Sequence, residues 1–354
     1  MAQRADHKAG LHGWGIIGTG QIARNFASDL ELLPNAKLQA VLSRNGATAG
    51  QFASGHKTAM PYADFDAFLA NKSVSIVYIA SPNSAHVAQA LRCIRSGKHV
   101  LIEKPAAPSE PEIEVIEREA ARHGVFAMEA MWTRFLPGIA AVRKALADGV
   151  IGDVQAVRGT LSWKMPFDPG SRFFSKSLGG GASLDLGVYL LSLTMHLFGE
   201  PEKISGRWEA ASTGVDFTAQ YKLHYPGMEA ELLCGFDTNR HNGFEINGTK
   251  GQIRVSDPFI RAERIEIVTG KFVQRVAAII PTGKAAKALA RLSFPGHRVL
   301  RFPLTGNGLH AQATAVMKAI DEGMLQHPLM PLSQSAAVLR AIQMLLSHPA
   351  MEKA

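Results

Sequence analysis

The chain of 354 residues is longer than one ordinary core requires, which predicts two domains. Apolar residues make up 46% and charged residues 19%, so gross disorder is excluded and a globular protein is indicated. The net charge of +8 is concentrated between Lys271 and Arg301, where neither aromatic interleaving nor a known motif favours nucleic acid. We expect a solvated or interface surface there, or an anionic ligand.

The N-terminus, the hydropathy and the cysteines exclude further classes. Residues 1–12 mix charge, glycine and histidine without the apolar centre of a secretory signal, and we expect them to be flexible. No apolar run approaches the roughly 18–20 residues that span a bilayer, so no membrane partner is expected. Cys93 and Cys234 stand in no paired metal or redox spacing. This favours a cytoplasmic, disulfide-free protein without a bound metal.

The first third of the chain alternates strand and helix patterns. Helices are predicted over residues 21–33 and 84–96, and apolar strands over residues 14–17, 38–42, 74–80, 99–103 and 126–129. Near-continuous apolar strands separated by helices indicate a parallel sheet that is covered on both faces. We therefore predict a doubly wound α/β domain of the Rossmann type over residues 13–134.

After residue 136 the pattern changes. Helices are predicted over residues 139–148, 309–323 and 333–347, and alternating strands over residues 154–163, 203–209, 217–224, 229–236 and 243–247. Turns such as residues 225–227 connect the strands, as is typical of an antiparallel or mixed sheet. Residues 135–354 are thus predicted to form an α+β domain with a large open mixed or antiparallel sheet.

A glycine motif lies between the first strand and the first helix. It has the pattern G-x-G-x-x-A and comprises Gly18, Thr19, Gly20, Gln21, Ile22 and Ala23. The first glycine of such a motif makes a tight turn, and the second lets a pyrophosphate approach the backbone. The phosphates then lie at a helix N-terminus, where free N–H groups favour anions. The strand–turn–helix context predicts a dinucleotide site here rather than a merely structural turn.

The end of the second strand bears on which dinucleotide is bound. An NAD enzyme normally carries Asp or Glu there to accept a hydrogen bond from the ribose 2′-hydroxyl. This chain carries Ser43 and Arg44 instead. An arginine can hold a 2′-phosphate through two charge-assisted hydrogen bonds. We predict NADP, with NAD as the less favoured cofactor and an ordinary exposed arginine as the alternative.

Two later strands end in residues that suit a ligand site, since ligands bind at the carboxyl ends of strands in such folds. Ser81, Pro82 and Asn83 follow one strand, and Asn83 also suits an N-cap of the following helix. Glu103 and Lys104 end the next strand, where a lysine before proline either has a functional task or is simply solvated.

The glycine-rich segment at residues 179–181 precedes a predicted helix in the second domain. Asp185 and Tyr189 are four residues apart, so they are predicted to share one face of a mostly apolar helix. Polar groups on such a face are costly unless they are hydrogen-bonded. His196 lies on nearly the same face and is interpreted as a structural histidine with satisfied hydrogen bonds.

These motifs together resemble the Gfo/Idh/MocA oxidoreductase family over nearly the whole chain. The resemblance rests on the G-x-G-x-x-A motif, on residues 82–86, on residues 97–105 and on the Asp185 helix. Residues 128–137 and 184–189 are most similar to the dimeric dihydrodiol dehydrogenases and NADP-dependent D-xylose dehydrogenases within that family. Many other members carry histidine where this chain has Tyr189, which weakens any inference from the inositol branch.

The resemblance implies roles for the matching residues. Lys104 orients the reacting hydroxyl, and Tyr189 is the acid/base, its pKa lowered by Lys104 from about 10 toward working pH. Asp185 holds the substrate or orients its neighbours. Trp132 lines the pocket, unless it is a core tryptophan, and Arg172 is a candidate substrate contact. The cofactor set is completed by Ser81, Pro82, Asn83, His86, Glu103 and Lys104.

The resulting hypothesis is an NADP-dependent dehydrogenase acting on a cyclic polyol, most plausibly a pyranose at its anomeric carbon. Two alternatives stay open: a trans-dihydrodiol dehydrogenase or non-sugar carbonyl reductase, and an NADP-binding regulatory sensor without catalysis. The family's broad second-domain sheet usually forms an oligomer interface, so the resemblance also implies a homodimer or a higher homo-oligomer.

Overall fold

The computed structural model describes residues 10–56, 59–270 and 296–351, and these residues divide into two compact units. The first unit contains the described residues among 10–132 and 306–335. The second contains the described residues among 133–305 and 336–351. Most of the predicted basic stretch, residues 271–295, and the predicted flexible residues 1–9 lie outside the described residues.

The first unit is built on a six-stranded parallel sheet in the order β3-β2-β1-β4-β5-β6. The strands are β1 (His12–Ile17), β2 (Ala36–Leu42), β3 (Met60–Tyr62), β4 (Ile76–Ile79), β5 (His99–Ile102) and β6 (Ala127–Glu129). The strand order reverses between β1 and β4, which is where ligands bind in open α/β sheets. The predicted doubly wound parallel sheet is therefore confirmed.

Helices separate the strands of this sheet. They are α1 (Gln21–Leu30), α2 (Gly46–Ser54), α3 (Phe65–Ala70), α4 (His86–Arg95) and α5 (Glu110–His123). Helix α1 is shorter than predicted because the chain tightens after Leu30: the N–H groups of Leu32 and Leu33 donate to carbonyls three residues back, at 3.2 and 3.0 Å. Sequence patterns had not indicated α2, α3, α5 or the three-residue β3.

The second unit contains an eight-stranded sheet in the order β14-β13-β12-β11-β7-β10-β9-β8. Neighbouring strands are antiparallel except β7 and β10, which are parallel. The strands are β7 (Val154–Ser162), β8 (Lys203–Ala210), β9 (Asp216–Tyr225), β10 (Met228–Gly235), β11 (Phe244–Gly248), β12 (Gly251–Val255), β13 (Arg264–Thr269) and β14 (His297–Arg301). This confirms the predicted mixed sheet and extends it by three strands that the sequence patterns did not indicate.

Helices α6 (Pro137–Ala147) and α7 (Val188–Phe198) belong to this unit. Helix α7 packs directly on the sheet, because a Cβ on Gly159 of β7 would lie 2.7 Å from the Leu190 side chain. The segment from Lys176 to Phe198 is long and apolar enough to cross a membrane by composition, and 72% of its window is buried within the protein. The expectation that no apolar run approaches the length of a membrane span is therefore wrong. The segment is apolar because most of it is buried in the core of this unit.

The C-terminal helices are α8 (His310–Asp321) and α9 (Leu332–Leu346). The start of α8 is tied to the end of α1 by Asp29, whose side chain is 1% exposed. Its carboxylate accepts hydrogen bonds from the backbone N–H groups of Asn307, Leu309 and His310, at 2.8, 2.7 and 3.2 Å. Residues 306–335 therefore belong with the first unit, whereas the sequence analysis had expected one continuous second domain from residue 135.

Candidate functional site

The turn between β1 and α1 shows two different uses of glycine. Gly18 has a φ of +109°, and a Cβ there would lie 2.4 Å from the carbonyl oxygen of Ala80. Gly20 has a φ of −71°, and a Cβ there would meet no protein atom within 4 Å. Gly20 is thus required neither by backbone conformation nor by packing. A glycine at a helix N-terminus with open space beside it fits close approach of a phosphate to the backbone.

The rest of the motif divides between core and surface. Ala23 is fully buried, which agrees with close packing of α1 on the sheet. Thr19 is half-buried, and Gln21 and Ile22 are exposed on the first turn of the helix. These three side chains are therefore accessible to a cofactor, and the residues present fit a dinucleotide.

The end of β2 carries a polar and basic group of residues. Asn45 caps α2, because its side-chain oxygen accepts from the N–H groups of Ala47 and Thr48 at 2.9 and 3.4 Å. Arg44 precedes it and is exposed, and the Ser43 hydroxyl lies 3.4 Å from the Thr48 hydroxyl. An exposed guanidinium therefore stands two residues before a helix N-terminus, with no carboxylate at residues 43–45.

His86 connects the ends of β4 and β5. It is fully buried, its Nδ1 lies 2.9 Å from the Pro105 carbonyl oxygen, and its Nε2 lies 2.9 Å from the Ser81 carbonyl oxygen. Burial lowers the pKa of His86.

The predicted capping role of Asn83 is wrong. A 3-10 turn occupies Asn83–Ala85, and α4 begins after it at His86, with Ala85 at the N-cap position.

Two buried carboxyl groups flank the Lys104 segment. The Tyr78 hydroxyl donates to Glu103, and the Lys104 backbone N–H donates to Glu103 Oε2 at 3.3 Å. Burial raises the pKa of Glu103, while the Tyr78 hydrogen bond and the Lys104 charge oppose that rise. Glu129 accepts from the Ala106 N–H at 2.9 Å. Lys104 itself is half-buried at the end of β5, so its position is defined from both sides.

Trp132 is 9% exposed at the end of the first unit. Its burial agrees with either of its two predicted roles, a pocket wall or a core residue. In the part of the chain that the structure describes, no group of three or more His, Cys, Asp or Glu side chains could hold a metal ion.

In the second unit, Asp185 and Tyr189 emerge from a buried helix start. Ser183–Gly187 forms a π-helical turn, and α7 continues from Val188. The prediction that Asp185 and Tyr189 share a face of one regular α-helix is therefore wrong in detail, because the wider turn changes the angle between them. Asp185 and Tyr189 are both partly buried, whereas Leu186 and Leu190 are fully or nearly fully buried.

Arg172 and Asp185, both predicted as substrate contacts, form an ion pair in the second unit. Arg172 Nη1 is 3.2 Å from Asp185 Oδ1, and the guanidinium carbon lies 4.1 Å from the centroid of the Phe173 ring. Asp185 has a 14% exposed side chain and Arg172 a 59% exposed one. The aspartate is thus oriented by an arginine that is itself accessible to a ligand.

His196 is half-buried farther along α7. Burial, with Arg134 and Arg143 nearby, lowers the pKa of His196 to about 3, so the ring is neutral. Arg134 is 2% exposed and donates to the side chain and carbonyl oxygens of Ser192, at 2.8 and 2.7 Å. The Nε2 atom of His196 has no hydrogen-bond partner among the described residues, so the expectation of a fully satisfied histidine is wrong.

The structure adds three residues that sequence reasoning missed. The Ser183 N–H donates to Asp216 Oδ2 at 2.6 Å, and the Tyr221 hydroxyl donates to Ser183 Oγ at 2.6 Å. All three side chains are at most 2% exposed. No local pattern marks them, because Asp216 opens a strand and Tyr221 lies at an ordinary inward-facing strand position.

Two family models match the chain. Residues 12–131 match an oxidoreductase family with an NAD-binding Rossmann fold, and residues 139–254 match the GFO/IDH/MocA C-terminal domain. The first match covers all six strands of the first sheet, and the second covers strands β7 to β11 of the second sheet.

Curated relatives match along most of their length. A human protein named trans-1,2-dihydrobenzene-1,2-diol dehydrogenase is 31% identical over 327 residues, which is 91% of this chain and 92% of that protein. A Xenopus laevis protein of the same name is 30% identical over 333 residues, 92% of this chain and 94% of that protein.

Solved structures agree in fold. A 3-ketoreductase from Actinomadura kijaniata, in complex with NADP and TDP-benzene, has a TM-score of 0.79 at 22% identity, covering 95% of this chain and 97% of its own. An aldose–aldose oxidoreductase from Caulobacter crescentus has a TM-score of 0.80 at 22% identity, covering 95% and 96%. With the family models and the relatives at 31% identity, these matches show that the chain belongs to the Gfo/Idh/MocA family of oxidoreductases.

Proposed function

We propose that this chain is an NADP-dependent dehydrogenase that transfers a hydride between nicotinamide and a hydroxyl-bearing ring carbon of a cyclic polyol. The observation that carries the proposal is that Asp185, 14% exposed and paired with Arg172, and Tyr189 both stay partly accessible in a helix start where Ser183, Leu186 and Leu190 are buried. A carboxylate and a phenol kept accessible in an apolar segment are suited to bind a hydroxylated substrate and to exchange its proton.

The cofactor is proposed to lie along the ends of β1, β2, β4 and β5. The α1 N-terminus, with Gly18, Thr19, Gly20, Gln21 and Ile22, would hold the pyrophosphate, and the bound nicotinamide would supply the hydride chemistry. Arg44 and Ser43, beside the N-terminus of α2, would hold a 2′-phosphate. Ser81, Pro82 and Asn83 would contact the nicotinamide half. His86 and Glu103 would act by holding these loops, since their polar atoms bond internally.

Three side chains are proposed to act on the reacting hydroxyl. In the oxidative direction Tyr189 would accept the hydroxyl proton as the hydride leaves the carbon for nicotinamide, and in reduction it would return that proton. The Lys104 ammonium would hydrogen-bond the same oxygen and stabilise negative charge on it and on the phenolate. Asp185 would bind a neighbouring substrate hydroxyl, oriented by its ion pair with Arg172.

The substrate is proposed to be a pyranose oxidised at its anomeric carbon. A trans-dihydrodiol is the second candidate, and it is favoured by the name of relatives that are 31% identical over 91% of this chain. Both carry adjacent hydroxyl groups on a six-membered ring, so both would present one oxygen to Lys104 and Tyr189 and another to Asp185.

The test is NADP⁺ reduction followed by near-ultraviolet absorbance, with D-xylose, D-glucose, inositols and a cyclic trans-dihydrodiol as substrates and NAD⁺ in parallel. Tyr189→Phe is expected to lower kcat by about 10²–10⁴-fold, the usual contribution of a general acid/base. Tyr225→Phe is the matched control, because it removes a phenol hydroxyl that donates to the Gly199 carbonyl oxygen at 3.1 Å and has no assigned part in the reaction. Full activity in Tyr189→Phe would refute the assigned role, and NADPH binding without turnover on any substrate would favour a regulatory protein.

We also propose a homodimer formed through the open face of the second sheet. Among the described residues that face carries ion pairs, such as Lys222 with Glu229 at 2.7 Å and Arg158 with Glu231 at 3.4 Å. Size-exclusion chromatography with light scattering checks this, and a monomer at micromolar concentration would refute it.

We propose a cytoplasmic location because both cysteines, Cys93 and Cys234, are free and buried in the structure.

A further inference from the structure

The π-helical turn that carries Asp185 has no side-chain cap of its own. Ala182 occupies the cap position and makes no side-chain hydrogen bond. The first N–H groups of a helix have no partner within the helix, and burial makes an unsatisfied donor costly. Strand β9 supplies the acceptor instead, because the Ser183 N–H donates to Asp216 Oδ2 at 2.6 Å.

A second residue of β9 reaches the same serine. The Tyr221 hydroxyl donates to Ser183 Oγ at 2.6 Å, so Tyr221 holds the side chain of Ser183 while Asp216 holds its backbone. Burial raises the pKa of both Asp216 and Tyr221. Because buried polar groups are tolerated only when their hydrogen bonds are made, the position of Ser183 depends on both residues.

Two glycines bring the turn close enough for these bonds. A Cβ on Gly181, whose φ is +123°, would lie 2.2 Å from Asp216 Oδ1. A Cβ on Gly187 would lie 3.1 Å from the Sγ atom of Cys234 on β10. The backbone is therefore held against β9 and β10 on both sides of Asp185.

We propose that Asp216 and Tyr221 are positioning residues, which act through Ser183 to set the directions of Asp185 and Tyr189. The proposal rests on the function proposed above. Neither residue touches the substrate, since both are 2% exposed. Their effect follows from geometry: a misplacement of about 1 Å at a reacting group can cost on the order of 10² in rate.

The test compares two tyrosines of the same strand. Tyr221→Phe removes the hydrogen bond to Ser183, and Tyr225→Phe removes a hydrogen bond to the Gly199 carbonyl oxygen, at 3.1 Å. Steady-state kinetics, the NADPH dissociation constant and hydrogen–deuterium exchange of the peptide containing Ser183–Gly187 are measured for both. Tyr221→Phe is a mild change, and Asp216→Asn serves as the stronger variant if it folds.

The expected result has three parts. Tyr221→Phe lowers kcat/KM at least about tenfold, leaves the NADPH dissociation constant within twofold, and speeds exchange of the Ser183–Leu186 amides. Tyr225→Phe changes none of these. In a Tyr189→Phe background, the further loss caused by Tyr221→Phe is smaller than in the unmodified enzyme, because only the part that acts through Asp185 remains.

Equal kinetics and exchange in the two variants would overturn the inference while leaving the proposed function intact. A further loss in the Tyr189→Phe background as large as that in the unmodified enzyme would also overturn it, since Tyr221 would then not act through Tyr189. If the unmodified enzyme oxidises no substrate, the proposed function fails instead. The exchange measurement still decides whether Tyr221 and Asp216 hold the turn.

Discussion

Two glycine-rich turns open helices in this protein, and they use glycine in opposite ways. In the turn before α1, Gly20 meets no protein atom within 4 Å of a Cβ, so the missing side chain leaves room outside the protein. In the turn before α7, a Cβ on Gly181 would lie 2.2 Å from Asp216 Oδ1, so the missing side chain admits another part of the same unit. A glycine motif therefore indicates that another group comes close to the backbone, but the motif alone does not distinguish a ligand from another segment of the protein.

The largest expected effect is on the inward-facing turn. Gly181→Ala is expected to destabilise the protein by about 3 kcal/mol, because a side chain there combines an unfavourable positive φ with a clash against a buried carboxylate. The free energy of unfolding in urea measures this change. A loss below about 0.5 kcal/mol would show that the turn is not held as described.

The outward-facing turn should respond in the opposite way. Gly20→Ala is expected to raise the NADPH dissociation constant about 100-fold, since a methyl group would stand where the pyrophosphate approaches. Stability should change by no more than about 1 kcal/mol, because the φ of −71° suits alanine. Fluorescence titration with NADPH and urea unfolding of the same sample check both halves. Unchanged affinity would contradict the assignment of this turn.

A smaller effect distinguishes the two dinucleotides. Arg44→Ala is expected to weaken NADP⁺ binding about tenfold, the loss of one charge-assisted contact, and to leave NAD⁺ binding unchanged. Titration of the same variant with both cofactors is the measurement. An equal loss for both would mean that Arg44 does not contact a 2′-phosphate.

The smallest expected effect is on how the free energy of unfolding changes with pH, and it concerns His196 in α7. Since His196 has its folded-state pKa lowered to about 3, its neutral form stabilises the fold above the unfolded pKa of 6.5, and that contribution is lost as pH falls below 6.5. His196→Leu should therefore lose about 1 kcal/mol less stability than the unmodified chain between pH 7.5 and 5.5. Parallel losses, measured by urea unfolding at both pH values, would contradict the buried neutral histidine.

Particular elements show how far local pattern could go. The strands of the first sheet were predicted because buried parallel strands are continuous apolar runs, and Lys104 was found because it ends such a run. The three-residue β3 is not predicted because it is a strand only through its hydrogen bonds with β2. The early end of α1 is not predicted because it is set by backbone hydrogen bonds after Leu30, which no side-chain pattern marks.

The same division holds within the candidate site. Gly18, Arg44, Lys104, Asp185 and Tyr189 could be named in advance because each lies in a short motif with its own local chemistry. The sequence by itself thus determined the α/β class, and its short motifs marked the glycine turn and the side chains that are proposed to bind the cofactor and to react, since such motifs depend on near neighbours along the chain. Only the tertiary structure decided that a π-helical turn carries Asp185, that Asp216 and Tyr221 hold it from a strand 33 or more residues away, and that residues 306–335 return to the first unit. Those features depend on hydrogen bonds and close contacts between distant segments, which no local periodicity encodes.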